Sequence, residues 1–481
     1  MHITVHLNTK AHKAIRWCTP SIDPTSARVL DPYKSDISVS HQSLGFPSEP
    51  SGIFKAAYER AAYAYGADQT LFSVNGSTGS NYIVLRALSK QFPNLKVLAQ
   101  RNIHKSVMFA CEDYLINLVC LPPNIDPNLQ IFLPNKINDF MEAIERENPH
   151  VLLITNPTYE GFTLDLKTLV KKVRNAFPDL VIFIEEAWGS HLSFSKKLPI
   201  SAMEAGADIC VQSTHKQGGA LQQAGMVHWK KGRVSTKLLM HSYRRLSSSS
   251  PSYILLASLD AAREMMEKYG KEKIDYLLDI SQKLSTGLKT IPGIRVIDIN
   301  SYRKKHTEIF DMDQTKVLVD VSQTNFSGFE LARILEEDLI IVEKYDERTL
   351  LFLIPFQATL ENIEVTVKAL KTIITTYKKP SKKTNNILIP KDGIKRMDFS
   401  QIERLNIDDI EVIPLDKAYG RVAAENITPY PPGIPLTLQG EELTDETINF
   451  YLGVKDHANC HIVAYDRSLN TIAVMRKKLD F

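Results

Sequence analysis

Between residue 53 and about residue 290, short runs of apolar residues alternate with longer stretches in which apolar positions recur at helical spacing. By length and composition, buried strands are predicted at residues 97–98, 151–154, 181–184 and 209–211. Residues 166–177 form one of the amphipathic helical stretches. Strands that alternate with helices form a mostly parallel sheet that the helices cover. The pattern therefore predicts an α/β large domain over residues 55–290.

A smaller α/β domain is predicted after the large domain, over residues 291–377. Its strand-like runs lie at 317–321 and 350–354, and residues 329–337 have helical spacing. Residues 378–386 are polar, basic and contain a proline, so they are interpreted as a solvated linker rather than a binding patch. Residues 387–481 then form a third unit.

The N-terminal region, residues 1–54, has no sustained hydrophobic period. It contains several prolines and other turn-forming residues, which predict an irregular arm. Such an arm could wrap a partner subunit.

The composition is that of an ordinary globular protein of more than one domain. The chain has 481 residues, 43% of them hydrophobic, and a formal net charge of only +3. This small and scattered charge argues against a dedicated nucleic-acid or membrane surface. The five cysteines are far apart and lack Cys-x-x-Cys spacing, so neither a disulfide framework nor a metal site is expected. With no signal-peptide pattern and no long apolar span, a cytoplasmic location is expected.

A lysine and a carboxylate follow two of the predicted strands. Lys216 comes after the run 209–211, behind Ser213 and His215 and before two glycines, and Glu185 ends the run 181–184. In open α/β sheets, the carboxyl ends of neighbouring strands form the ligand site. A lysine amine in a pocket can bind a carbonyl cofactor. The pair therefore predicts pyridoxal phosphate chemistry, although a solvated loop lysine and a solvated strand end are the alternatives.

Residues Asn75-Gly76-Ser77-Thr78 join a predicted strand to a predicted helix. Exposed N–H groups and the helix dipole favour a phosphate at such a position, and the hydroxyls of Ser77 and Thr78 can add donors. A plain helix cap explains this segment equally well when it is taken alone. The neighbouring Lys216 motif, in which Ser213 and His215 can contribute further phosphate contacts, favours the anion site.

Two adjacent glutamates compete for contact with a cofactor ring. Strand alternation sends the side chains of Glu185 and Glu186 to opposite faces, so only one of them is expected at the ring. Glu185 is the predicted partner of the pyridine nitrogen, and Ala187 would offer a small surface for the ring. His104 could stack on the other side of the ring, although a histidine at a helix start is commonly a cap.

Taken in order, segments along most of the chain resemble the ornithine/lysine/arginine decarboxylases, which are pyridoxal phosphate enzymes of the aspartate aminotransferase fold. The segments that carry this resemblance are Phe46-Pro to Ala67, Asn75-Gly-Ser-Thr-Gly, His104-Lys-Ser, Asn156-Pro-Thr-Tyr, Glu186-Ala-Trp-Gly-Ser-His, Gln212-Ser-Thr-His-Lys, Ser250-Pro-Ser-Tyr to Ala262-Arg and Tyr430-Pro-Pro-Gly-Ile-Pro. The resemblance implies a fold of three parts: a cofactor-binding large domain, a smaller α/β domain and a C-terminal α+β domain at 387–481.

The resemblance also implies roles for the candidate residues. Lys216 would be the Schiff-base lysine, and His104 would stack on the ring. The phosphate would be surrounded by Ser77, Thr78, Ser213 and His215. The family implies a homodimer or an assembly of dimers, and the shorter form of this chain is similar to biosynthetic members that act on arginine.

Decarboxylation of a basic amino acid, arginine or otherwise lysine or ornithine, is therefore the predicted reaction. Lys216 or His215 would return a proton to Cα, and Glu343 and Glu441 are the candidates for binding the distal cation of the substrate.

Two departures from the family pattern leave alternatives open. Glu185 stands where the family has Asp, which lengthens the side chain by roughly 1 Å. The family's Pro-Gly-His-Lys segment near the N-terminus is missing. Transamination or oxidation of arginine on the same fold is one alternative, and a catalytically idle regulatory paralogue is the other.

Overall fold

The computed structural model describes residues 13–23, 32–37, 44–376, 388–391, 395–399, 407–430, 434–455 and 461–476. A central sheet of eight strands organises this part of the chain. In spatial order the strands are Lys395–Asp398, Asn117–Cys120, Lys96–Ala99, Val151–Thr155, Val181–Glu185, Ile209–Gln212, Gly225–Trp229 and Gln69–Ser73. The five strands from Asn117–Cys120 to Ile209–Gln212 are parallel neighbours. The predicted mostly parallel sheet is therefore confirmed.

The sheet is covered on both faces because its central strands are apolar on both sides. Every residue of Val151–Thr155 and Val181–Glu185 is buried. One apolar core contains Val181 and Phe183, and another contains Ile182 and Ile184, as strand alternation requires.

Fourteen helices lie in the described residues, apart from short 3-10 turns. Their bounds are Pro32–Ser35, Gly52–Ala64, Gly76–Gln91, Lys105–Asp113, Ile137–Glu147, Leu166–Ala176, Ala202–Ala205, Thr214–Gln217, Thr236–Leu246, Tyr253–Leu288, Ile299–Arg303, Gly328–Glu337, Leu360–Thr376 and Asp445–Val454. The helix Tyr253–Leu288 joins two apolar cores, since Leu256 and Leu259 pack with the large-domain core and Leu277 and Leu284 pack with the next one. The boundary at residue 290 stays a prediction.

The smaller α/β unit contains an antiparallel sheet with the strand order Arg295–Val296, Lys316–Asp320, Thr349–Leu353 and Lys344–Tyr345. Short two-stranded pairings elsewhere join Asn124–Ile125 to Phe132–Leu133 and Phe162–Thr163 to Asp311–Met312. The C-terminal region pairs Ile410–Pro414 with Thr471–Met475 and Thr428–Tyr430 with His461–Val463. None of the described helices combines the length and the apolar composition that a membrane crossing requires.

The C-terminal region also contributes to the large-domain sheet. Its strand Lys395–Asp398 pairs antiparallel with the edge strand Asn117–Cys120, and Met397 and Phe399 are buried in the large-domain core. This pairing covers backbone groups that an open sheet edge would expose. The predicted linker at 378–386 lies outside the described residues.

The described part of the N-terminal region contains a regular strand, where its prolines predict an irregular arm. Ile15–Trp17 is a strand that pairs in parallel with Ile340–Val342 of the smaller domain. Trp17 is fully buried, and its indole Nε1 donates to the Thr366 hydroxyl at 2.8 Å. The described part of this region therefore contacts its own chain.

We expect Trp17→Ala to lower the free energy of unfolding by about 3–5 kcal/mol, because it leaves a large buried cavity. Urea unfolding followed by circular dichroism would measure this change. Tyr63→Ala is the matched control, since that ring is 82% exposed. Equal stability of the two variants would contradict the docking of the N-terminal strand.

Candidate active site

A cavity of about 590 Å³ lies at the carboxyl ends of the central strands. Parallel pairing brings the ends of Val151–Thr155, Val181–Glu185 and Ile209–Gln212 to one edge of the sheet. Gln69–Ser73 runs in the same direction, because both it and Ile209–Gln212 are antiparallel to Gly225–Trp229. The loops after these strands therefore meet, as they do in other open α/β sheets.

One end of the cavity is built for an anion. Gly76, Ser77 and Thr78 line it at the start of the helix Gly76–Gln91, where the backbone N–H groups of Ser77 and Thr78 and the helix dipole favour negative charge. The Gly76 N–H itself donates to the Gln223 carbonyl at 2.7 Å. Ser213 and His215 line the same end, and the Ser213 hydroxyl donates to the Ser77 hydroxyl at 2.8 Å. Gly76 has a φ of +60°, which a residue with a side chain rarely adopts.

Lys216 and Glu185 both line this cavity. Burial lowers the pKa of Lys216, and the carboxylates of Glu185 and Glu343 partly oppose that change. Burial raises the pKa of Glu185, and the Lys216 ammonium and the Thr155 hydroxyl partly oppose that change. The lower pKa increases the fraction of free amine, which is the form that reacts with an aldehyde.

Glu186 points away from the cavity. Its carboxylate accepts hydrogen bonds from the backbone N–H of Ala202 and from Gln212 Nε2, both at 2.7 Å. Burial is the main influence on this group, and it raises the pKa of Glu186 to about 7. Strand alternation thus separates the two glutamates, and Ala187 is again on the cavity side.

The two histidines at the cavity have defined tautomers. His104 Nδ1 accepts from the Ser106 backbone N–H at 3.2 Å, so the proton of neutral His104 is on Nε2. His215 Nδ1 is 2.9 Å from the Ala224 carbonyl, which only accepts, so Nδ1 carries the proton. Burial lowers the pKa of His104 to about 3 and that of His215 to about 4. Both rings are therefore neutral at pH 7, and His215 Nε2 has no proton to donate.

Glu343, from the smaller domain, lines another wall of the cavity. Its oxygens accept from the Tyr159 hydroxyl at 2.9 Å and from the backbone N–H of Thr19 at 2.8 Å. Burial raises the pKa of Glu343, although these hydrogen bonds and the nearby Lys216 and Lys316 oppose the change. Each oxygen retains capacity for a further hydrogen bond.

Glu441, which the sequence analysis proposed for binding the distal cation of the substrate, does not line the cavity. Its carboxylate is 3.4 Å from the Arg101 guanidinium and accepts from the Leu438 backbone N–H at 2.9 Å. Both contacts are to Oε2, and the buried Oε1 has no hydrogen-bond partner among the described residues. Arg101 also donates to the carbonyls of Pro435 and Leu436, so this pair lies where the C-terminal region contacts the large domain.

Sequence reasoning missed several residues at this site. Thr19 lines the cavity although the N-terminal arm gave no such signal, and Trp188 lies against two ammonium groups. The Nζ atoms of Lys216 and Lys316 are 3.8 and 4.0 Å from the centroid of the Trp188 ring. Trp188 directly follows Ala187, so the sequence could have predicted that it lies next to the site. Lys316 lies in the smaller domain, and no local pattern connects it with the site.

The residues present fit a phosphorylated aldehyde cofactor with a ring nitrogen. The cavity combines an anion-binding helix start, a buried amine and a buried carboxylate. Asn102 Oδ1 is also buried at the cavity and has no hydrogen-bond partner among the described residues, which indicates room for a donor from a ligand.

Comparison with protein families gives two matches that together span most of the chain. The family described as "Orn/Lys/Arg decarboxylase, major domain" matches residues 31–362. The family described as "Orn/Lys/Arg decarboxylase, C-terminal domain" matches residues 394–474.

Curated relatives and solved structures agree with these matches. Arginine decarboxylase from Bacillus anthracis is 33% identical over 408 residues, which is 83% of this chain and 80% of the relative. Arginine decarboxylase from Bacillus subtilis is 33% identical over 405 residues, with 83% and 81% coverage. The lysine decarboxylase structure from Francisella novicida has a TM-score of 0.78 at 21% identity, covering 92% of this chain and 75% of that one. At this identity the structural likeness shows a shared fold.

The raised pKa of Glu186 predicts a specific pH dependence of stability. The folded protein retains the Glu186 proton up to a pH of about 7, whereas the ordinary value is 4.5. Stability therefore falls as pH rises between these values, and Glu186→Gln should remove this contribution. We expect the stability of the variant relative to the parent to rise by on the order of 3 kcal/mol between about pH 4.5 and pH 7. Urea unfolding of both proteins at the two pH values measures this change. A difference in the free energy of unfolding that is the same at both pH values would contradict the burial argument.

Proposed function

Because the chain belongs to the Orn/Lys/Arg decarboxylase family, we propose that it removes the α-carboxyl group of a basic amino acid with pyridoxal 5′-phosphate as its cofactor. Arginine is the proposed substrate, since relatives with 33% identity over most of the chain are named arginine decarboxylase. The observation that carries the proposal is the buried amine of Lys216 in one cavity with the buried carboxylate of Glu185.

The proposed cofactor site uses residues from four loops. Gly76, Ser77, Thr78 and Ser213 would bind the phosphate, together with His215. Lys216 would hold the aldehyde carbon, and Glu185 would pair with the ring nitrogen while the ring lies between Ala187 and His104. When bound, pyridoxal phosphate supplies a ring that accepts the electron pair left by the departing carboxyl group.

Lys216 is the proposed proton donor to Cα after carbon dioxide leaves. This step replaces the bond from Cα to the carboxyl carbon with a bond to hydrogen, so one proton must be delivered. His215 is the weaker candidate, because its Nδ1 proton is engaged by the Ala224 carbonyl and its Nε2 has none. The Lys216 amine reaches the cavity and can carry a proton in its ammonium form.

Glu343 is the proposed partner of the distal cation of the substrate. It is a carboxylate on a wall of the cavity, and the Thr19 N–H and the Tyr159 hydroxyl hold it in one orientation. A guanidinium group can bind both oxygens of a carboxylate at once, which favours arginine over lysine. The family resemblance further supports a homodimer or an assembly of dimers.

Incubation of the purified protein with labelled arginine, lysine and ornithine tests the reaction. We expect carbon dioxide and the corresponding amine to form in equal amounts, fastest from arginine. Lys216→Arg should abolish turnover, because the longer guanidinium is always charged and cannot attach the cofactor. A keto acid product would contradict decarboxylation, and no product from any of the three amino acids would overturn the proposal.

Replacement of the two glutamates proposed from the sequence separates their roles. We expect Glu343→Gln to raise KM for arginine roughly tenfold to a hundredfold, since a charged hydrogen-bond partner is lost. Glu441→Gln is the matched control and should leave KM within about twofold, since its carboxylate pairs with Arg101. Steady-state kinetics measure both values. An unchanged KM for the Glu343 variant would remove this residue from substrate recognition.

A further inference from the structure

One turn of the smaller domain contacts three chain segments that border the cavity. This turn comprises residues 313–316, and we call it the clamp turn. It is closed by a hydrogen bond from the Lys316 backbone N–H to the Asp313 carbonyl at 3.2 Å. Asp313, Thr315 and Lys316 have side chains that are at most 3% exposed. Since each is polar, each must bond to something inside the protein.

The first contact is to the helix that carries Lys216. Gln217 directly follows Lys216 in the short helix Thr214–Gln217 and is 1% exposed. Its Nε2 donates to the Thr315 hydroxyl at 2.6 Å. The Thr315 hydroxyl in turn donates to Asp313 Oδ1 at 2.7 Å. A chain of two hydrogen bonds therefore runs from the residue beside Lys216 to the Asp313 carboxylate.

The second contact is to the segment that follows Glu185. His191 Nε2 is 3.1 Å from Asp313 Oδ2, and both side chains are fully buried. Burial alone would raise the pKa of Asp313, but the His191 imidazole, Lys316 and the Thr315 hydroxyl together hold that pKa below its usual value. His191 Nε2 also lies 3.4 Å from the Thr315 hydroxyl. The segment that leaves Glu185 and Ala187 therefore contacts the same turn as the Lys216 helix.

The third contact is to the wall formed by Tyr159 and Trp188. Lys316 Nζ donates to the Tyr159 carbonyl at 2.7 Å and lies 4.0 Å from the centroid of the Trp188 ring. Lys216 Nζ lies 3.8 Å from the centroid of that ring. The Trp188 ring thus contacts both ammonium groups. Lys216 lines the cavity, and Lys316 lies behind the cavity wall.

We propose that the clamp turn positions the Lys216 amine, with Thr315 as the positioning residue that acts through Gln217. The turn joins the two large-domain segments that carry Lys216 and Glu185, and it does so from the smaller domain. Loss of one of these contacts would therefore let the Lys216 helix move relative to the segment that carries Glu185. This inference rests on the proposed function for its kinetic test, but its spectroscopic test needs only the bound cofactor.

Thr315→Val tests the positioning role because it keeps the shape of the side chain and removes the hydroxyl. We expect kcat for arginine to fall about tenfold to a hundredfold with KM within about twofold, since misplacement of a reacting group acts on the chemical step. In the holoenzyme, the pH midpoint of the visible absorbance band of the Lys216-linked cofactor should rise. The reason is that a loosened helix exposes the linking nitrogen to water, which favours its protonated and charged form.

Thr315→Ser should keep kcat and the pH midpoint of the absorbance band at their wild-type values, because it retains the hydroxyl. Thr366→Val is the matched control, since Thr366 is another fully buried threonine of the smaller domain that accepts from a side-chain N–H. We expect this control to leave kcat and the absorbance midpoint unchanged. An equal loss in the control would overturn the inference, because the effect would then come from general destabilisation.

A double-mutant comparison keeps the test decisive if single variants lose stability. Gln217→Met removes the donor of the same hydrogen bond from the other side. If the two residues act through that bond, the double variant should lose no more activity than the more affected single variant. Losses that multiply would overturn the inference, as would a wild-type midpoint in Thr315→Val. If no basic amino acid is decarboxylated, the proposed function is wrong. The pH midpoint of the absorbance band of the Lys216-linked cofactor then still tests the role of Thr315.

Discussion

The burial of Lys216 and Glu185 in one cavity is the interaction on which the rest of the site depends. Neither group would keep its charge readily in an apolar interior, and each partly stabilises the charge of the other. The sheet makes this arrangement possible, because its fully buried strands bring both groups out of water at the ends of adjacent strands. The surrounding loops then supply the anion site and the walls.

The neighbouring Glu186 shows how strictly the strand geometry separates functions. It is chemically identical to Glu185 and adjacent in sequence, yet its carboxylate is bound by Ala202 and Gln212 on the other face of the sheet. The same separation applies to the two glutamates of the later domains. Glu343 faces the cavity, whereas Glu441 is paired with Arg101. Position in the sheet and in the domain contacts therefore determines the role of each carboxylate, rather than its residue type.

The sequence predicted those parts of the fold and the site that depend on local patterns. Alternating strands and helices predict the mostly parallel sheet, and strand ends identify residues 185, 213 and 216 as neighbours. Contacts between distant segments leave no such local pattern. The hydrogen bond from Trp17 to Thr366, the edge strand Lys395–Asp398 and the contact of Thr315 with Gln217 belong to this class. Each joins residues with no shared periodicity, so only the folded chain reveals them.

The pairing of Ile15–Trp17 with Ile340–Val342 has a consequence for biosynthesis. Trp17 is synthesised before the residue whose hydroxyl accepts its indole proton, which lies 349 positions later in the chain. During translation the strand Ile15–Trp17 therefore cannot pair with Ile340–Val342 until those later residues have left the ribosome. Closing so long a loop costs entropy that only the completed smaller domain offsets. The strand Ile15–Trp17 is therefore synthesised well before the partner strand with which it pairs.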